Sequence, residues 1–189
     1  MNSMDEIKRE LNRCKEHLDE MKIAKNADEF RDSYVDFVSH GRRVTFTIQK
    51  RMTHKPFFRD WYKRVQERYK ADRVCNFFNK ERTEVEHCAS NSLKFKTFIH
   101  SFNSSLDVID RPLNSNIELS GEGVKLRINA GTPQERLRPI EHKGKTTTSV
   151  WVEVEGKDEN VLDLCEEYYL ILEKDIEDLH AQYLKFKGE

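Results

Sequence analysis

Leu162-Asp-Leu-Cys-Glu-Glu-Tyr-Tyr-Leu-Ile-Leu-Glu-Lys-Asp-Ile-Glu-Asp-Leu-His-Ala-Gln-Tyr-Leu-Lys-Phe186 carries the most regular pattern in the chain. Leu162, Cys165, Tyr169, Leu172, Ile176, Leu179, Tyr183 and Phe186 recur 3, 4, 3, 4, 3, 4 and 3 residues apart. That is a helical heptad, and it needs a long apolar partner. The matching stripe lies at the other end of the sequence. Met4, Ile7, Leu11, Cys14, Leu18 and Met21 repeat at the same spacing, behind a Ser3-x-x-Glu6 capping box. Two such seams either close a helical bundle or dimerise it.

Between them the pattern predicts three further helices. Asn26-x-x-Glu29 is a second capping box, and Phe30, Tyr34, Phe37, Val38, Val44, Ile48 and Met52 mark the buried side of the helix behind it. Gly41 in its middle costs about 1 kcal/mol relative to Ala, which suggests a bend or a close approach. After Pro56 come Phe57, Phe58, Trp61, Tyr62, Val65 and Tyr69, an aromatic helix whose rings suit a core better than a base-stacking platform. Asp72 is a good N-cap for a fourth helix, on which Val74, Phe78, Val85 and Ala89 share one face.

From residue 93 the period changes. Residues 93–99, 117–119, 124–128 and 149–154 alternate as strands, and Gly121-Glu-Gly123 reads as a hairpin turn. Residues 130–145 read as a long loop, and the last helix begins after Gly156-Lys-Asp158. The expectation is an α+β fold. A helical bundle covers residues 1–90, a small antiparallel β-sheet insertion covers 91–156, and a heptad helix over 157–189 packs back on the bundle.

No apolar run in the 189 residues is long enough for a signal peptide or a membrane span, so a cytoplasmic protein without membrane contact is expected. Cys14, Cys75, Cys88 and Cys165 are scattered and lack metal-ligand spacing, so they read as reduced thiols with no metal and no cofactor. The net charge of −1 hides an asymmetry. Residues 42–73 hold eleven Lys or Arg against three acids, and residues 157–189 hold four Lys against ten acids. The basic stretch either attracts a polyanion or neutralises the acidic last helix.

The fourth helix also carries Arg82-Thr-Glu-Val-Glu-His87, an Arg-x4-His motif that follows the aromatic Phe57-Phe-x-x-Trp61-Tyr62. In this the helical part resembles the HEPN (higher eukaryotes and prokaryotes nucleotide-binding) superfamily. Active members are metal-independent ribonucleases, often of toxin–antitoxin or defence type, in which two protomers bring their motifs into one cleft. The resemblance implies a homodimer that binds or cleaves RNA. Arg82 would steady the scissile phosphate, and His87 would move a proton to or from the 2′-hydroxyl or the leaving oxygen. The position after the Arg, usually Asn, Asp or His in active relatives, is Thr83.

Asn76 and Asn79 on the same helix, with Arg42, Arg43, Arg59, Lys63 and Arg73 from the basic stretch, are the candidate nucleic-acid contacts. A plainer reading pairs Arg82 with Glu86 at i+4 and leaves His87 exposed at the helix end. It goes with a non-catalytic interaction module that binds protein partners through its heptads and sheet. His40-Gly-Arg-Arg43 reads as solvated, and Arg136-x5-His142 repeats the motif in a loop.

Overall fold

A computed structural model of the chain describes residues 3–88, 92–99, 117–121, 124–128 and 146–188. Of these, the side chains of 86–88, 97–99, 117–121, 124–128 and 146–148 lie outside the description. The elements in order are α1 (Ser3–Ile23), α2 (Ala27–Met52), α3 (Phe58–Ala71), α4 (Arg73–Cys88), β1 (Lys94–Ile99), β2 (Ile117–Gly121), β3 (Val124–Ile128), β4 (Thr146–Val154), β5 (Lys157–Asn160) and α5 (Val161–Lys187). The chain is therefore α+β: the described residues form five helices, with a small antiparallel sheet before the last of them. It divides into two compact units, residues 1–95 with 150–189, and residues 96–149.

The first unit holds the helices. Asn26 caps α2, its Oδ1 accepting from the amides of Asp28 (3.1 Å) and Glu29 (2.8 Å), while Glu29 reaches back to the Lys25 amide and the Asn26 side chain. Two of the orphan donors at the helix start are thereby satisfied. Asp72, with extended backbone, both ends α3 and starts α4, where its Oδ1 accepts from the Cys75 amide at 2.9 Å.

The α1 heptad residues are all buried, and α1 packs along α2 and α5. The heptad seams thus close the chain's own bundle. On α5 the stripe is broader than a heptad: Val161, Leu164, Tyr168 and Asp175 are buried as well, whereas Phe186 is 47% exposed. The helix is central, touching α1 on one side and α2 and α4 on others, so one seam does not describe it.

Gly41 marks a close approach. A Cβ built there would meet Cε1 of Tyr168 at 2.8 Å. Tyr168 in turn stacks on Phe78, with centroids 4.4 Å apart, and meets Phe37 edge-on.

Within the same unit, β4 turns into β5 through Glu155 (φ 50°) and Gly156 (φ 80°), with Val154 paired to Lys157. Positive φ at both central residues is the type I′ signature of a two-residue hairpin. Residues 157–160 are therefore a strand, not the start of the last helix, which begins only at the Asn160 cap, whose Oδ1 accepts from the Leu162 amide. The sheet order is β1-β4-β5, and Val150, Val152 and Val154 turn its inner face to the core. Trp151 is half-buried on the opposite face. Buried Glu81 of α4 accepts from the Ser92 amide (3.1 Å) and hydroxyl (2.8 Å), tying the start of β1 to the bundle.

In the second unit β2 and β3 pair antiparallel, from Ile117↔Ile128 to Gly121↔Val124. Gly121, read from sequence as part of the turn, is thus the last paired residue of β2, and residues 122 and 123 lie outside the described residues. The predicted loop over 130–145, including Arg136 and His142, lies outside the described residues.

Candidate functional site

Four helices of the first unit line a half-open cavity of about 240 Å³. Its walls follow from helical spacing. Arg42, Thr45 and Gln49 share one face of α2, Tyr62, Gln66 and Tyr69 one face of α3, and Asn76, Asn79 and Arg82 one face of α4. Tyr168 and Asp175, seven residues apart, come from α5, and Lys70 completes the α3 side. Val38, Ile48, Trp61, Val65 and Phe78 line its apolar part.

Three cationic side chains thus border this space, against one carboxylate. Arg42 lies with its guanidinium 6.0 Å from the ring centroid of Phe46, which is 54% exposed. Its backbone carbonyl accepts from the Thr45 hydroxyl at 2.9 Å. Arg82 is half-buried, and its Nε is enclosed without a hydrogen-bond partner. An N–H in that condition normally has an acceptor. Gln49 donates to the Tyr62 hydroxyl, joining α2 and α3 across the cavity.

Asp175 is 2% exposed; its Oδ1 accepts from Arg68, and the Tyr69 hydroxyl stands beside the same carboxylate. Burial, and then the charge of Asp175 and a hydrogen bond to it, push the Tyr69 hydroxyl far above its ordinary ionisation range. Burial likewise holds the Tyr168 hydroxyl protonated, with Arg42 and Arg82 pulling weakly the other way, so both guanidinium groups lie within electrostatic reach of that ring.

Of the residues singled out from sequence, Arg42, Asn76, Asn79 and Arg82 meet at this cavity. Asn76 is partly committed, since its Nδ2 donates to the Lys70 carbonyl at 3.0 Å and fixes the α3–α4 corner. Thr83 is exposed and its hydroxyl donates to the Asn79 carbonyl at 3.3 Å, one turn back. Arg43, Arg59 and Lys63 are exposed and do not line the cavity. Arg73 is held by Glu159 (2.6 and 2.8 Å) and Glu167 (3.0 Å). The His87 backbone belongs to the last turn of α4, and its side chain lies outside the described residues.

One expectation is corrected. His40 is not solvated: it is buried, 3.1 Å from Glu10, and stacked on His17 with centroids 5.1 Å apart. It sits on α2 between Phe37 and Val44, where the heptad of α1 covers it.

Sequence reasoning missed Asp175, Lys70, Tyr69 and Tyr168. Tyr168 had a signal in Gly41, whose missing side chain makes room for its ring. Burial pushes the thiols of Cys14, Cys75 and Cys165 upward, so they stay protonated and inert. Among the described residues there is no group of three or more His, Cys, Asp or Glu that could hold a metal ion, and no helix is long and apolar enough to cross a membrane.

A family model described as bacteriophage lambda protein ea47 matches residues 4–184, and the chain belongs to that family. No curated protein and no solved structure gives a significant match.

Proposed function

We propose that this protein binds single-stranded RNA in the cleft bordered by α2, α3 and α4, and that a dimer of the HEPN kind cleaves it without metal. One observation supports the reading: Arg42, Lys70 and Arg82, from three different helices, border one cavity, and the buried Nε of Arg82 has no acceptor. Guanidinium groups match phosphate oxygens in charge and geometry. The half-apolar lining suits a base or sugar beside them.

In the cleavage step, His87 withdraws the 2′-hydroxyl proton and the 2′-oxygen attacks the adjacent phosphorus. Arg82 steadies the charge on the phosphoryl oxygens while the 5′-oxygen leaves and takes up a proton. The products are a 2′,3′-cyclic phosphate and a 5′-hydroxyl.

Because the α1 heptad and most of the α5 one are consumed in the chain's own core, a dimer would form through another face. Among the described residues, the alternative module, which binds a protein partner, would use the sheet and the outer helix faces.

The test is fluorescence anisotropy of a labelled single-stranded RNA across a salt series. Three phosphate contacts give a slope of log K against log salt of about −2, and Arg82→Ala lowers its magnitude by about 0.7. Incubation with a chelator then reads cleavage directly. RNA that stays intact in the presence of dimer removes the nuclease part, and a flat salt series removes the RNA part.

A further inference from the structure

Phe46 stands in the middle of α2, and the core does not use its ring. The other aromatic residues of that helix, Phe30, Tyr34 and Phe37, are buried, whereas Phe46 is 54% exposed. A single exposed apolar side chain is ordinary by itself. The surroundings set this one apart. Arg42 and Arg43 precede it by four and three residues and Lys50 follows it by four, so three cations are its neighbours on the helix surface. Arg43 and Lys50 are exposed, while Arg51, Arg68 and Arg73 of the same basic stretch end on carboxylates. Arg42 belongs to two places at once: its guanidinium lies 6.0 Å from the Phe46 ring centroid, and its side chain lines the cavity. Gln49, three residues past Phe46, lines the cavity too. The ring therefore stands at the α2 rim of the cleft.

We infer that Phe46 is a stacking platform on which single-stranded RNA lays one base at the rim of the cleft, with Arg43 and Lys50 meeting the flanking phosphates. The inference rests on the RNA reading above and adds to it a contact that does not depend on charge. A polynucleotide strand alternates flat apolar faces with negative charges, and this surface sets one exposed ring among three cations. The strand has to be single, because a duplex keeps its bases stacked on one another and offers the ring no free face. Every base has such a face, so the contact tolerates any sequence. Arg42, within cation–π range of the ring, joins the platform to the cavity wall.

The experiment uses the full chain and two labelled strands of about ten units, a single-stranded RNA and an abasic phosphodiester strand of equal charge, each titrated by anisotropy. The unsubstituted chain is expected to prefer the RNA. Phe46→Ala is expected to weaken RNA binding by about tenfold and to leave both abasic binding and the salt slope unchanged. Phe46→Tyr, which keeps the ring, should bind RNA as the unsubstituted chain does. Phe46→Leu, which keeps apolar bulk without the ring, should lose affinity as the Ala variant does, and it decides the matter should that variant not fold. RNA affinity untouched in Phe46→Ala and Phe46→Leu overturns the platform and leaves the RNA reading standing. An equal loss for both strands overturns the platform too, since the loss would then not be of stacking. A dimer that becomes monomer on Phe46→Ala in size-exclusion chromatography, with RNA binding intact, assigns the ring to a second copy of the chain and overturns it as well. No binding of either strand by the unsubstituted chain overturns both readings.

Discussion

Replacing Arg82 by Met separates a residue kept for a ligand from one kept for the fold. Arg51, Arg68 and Arg73 each end on a carboxylate, of Glu6, of Asp175, and of Glu159 with Glu167. Arg82 differs: its Nε is enclosed beside the cavity with no acceptor. A buried donor left unpaired costs about 1–3 kcal/mol. Methionine keeps the unbranched stem that packs along α4, has nearly the same helix propensity, and removes the donor. The lost packing of the outer guanidinium offsets part of the relief. The expected outcome is a stability unchanged or raised by about 1 kcal/mol, which for a chain of this length is up to about 3 °C in Tm.

Binding should move the other way. A charge-assisted hydrogen bond contributes about 1.5–3 kcal/mol, so the affinity for single-stranded RNA at low salt should fall by about ten- to a hundredfold. Urea denaturation followed by circular dichroism reads the first quantity and anisotropy the second. A loss of more than about 1 kcal/mol of stability with RNA affinity intact would refute the reasoning, because Arg82 would then serve the fold.

Three further outcomes are expected. Gly41→Ala gains about 1 kcal/mol of helix propensity and meets the Tyr168 ring at 2.8 Å, where Phe78 and Phe37 prevent retreat; with overpacking at about 1–3 kcal/mol the net is a loss of about 1 kcal/mol in urea denaturation. Burial lowers the pKa of His40 below its ordinary value against the pull of Glu10, with Arg43 and His17 adding to the fall. Its folded value therefore lies below its unfolded one, and the stability present above the unfolded pKa is lost as pH falls through the folded one. Between about pH 7.5 and pH 5.5 the wild type should lose more Tm than His40→Asn. Arg73→Ala, which breaks exposed ion pairs, should cost under about 1 kcal/mol and lower RNA affinity less than Arg42→Ala does, in the same two assays.

The helices were legible because each advertises its own buried face. The α1 heptad, the Asn26 cap and the Asp72 break are local signals, and the residues named from them occupy those roles. Gly41 was legible as a close approach, though not its counterpart Tyr168. What escaped was set by neighbours. Strand β5 depends on pairing with β4 across Glu155-Gly156, and Lys-Asp-Glu-Asn alone resembles the start of a helix. Buried Glu81 and Asp175 look like surface acids until Ser92 and Arg68 are brought to them. At the cavity, angular position on α4 pointed to Asn76, Asn79 and Arg82. The α5 wall could not be found that way, because Asp175 lies beside the heptad position Ile176 and its partner Arg68 comes from α3.

The two readings of the basic stretch need not compete, since its residues divide. Arg68 and Arg73 are drawn onto acids of the C-terminal segment, so part of the excess charge holds the bundle together. Arg42, Lys70 and Arg82 border the cavity instead. The division also explains how a chain of net charge −1 offers a cationic cleft: the acids that balance its formal charge are spent on other guanidinium groups. A field of this kind is local and falls off within about 8 Å at physiological salt, so it favours a strand already in contact over one at a distance. Asp175, the one carboxylate among these cations, is itself held by Arg68, so it takes little of the charge that Arg42, Lys70 and Arg82 present.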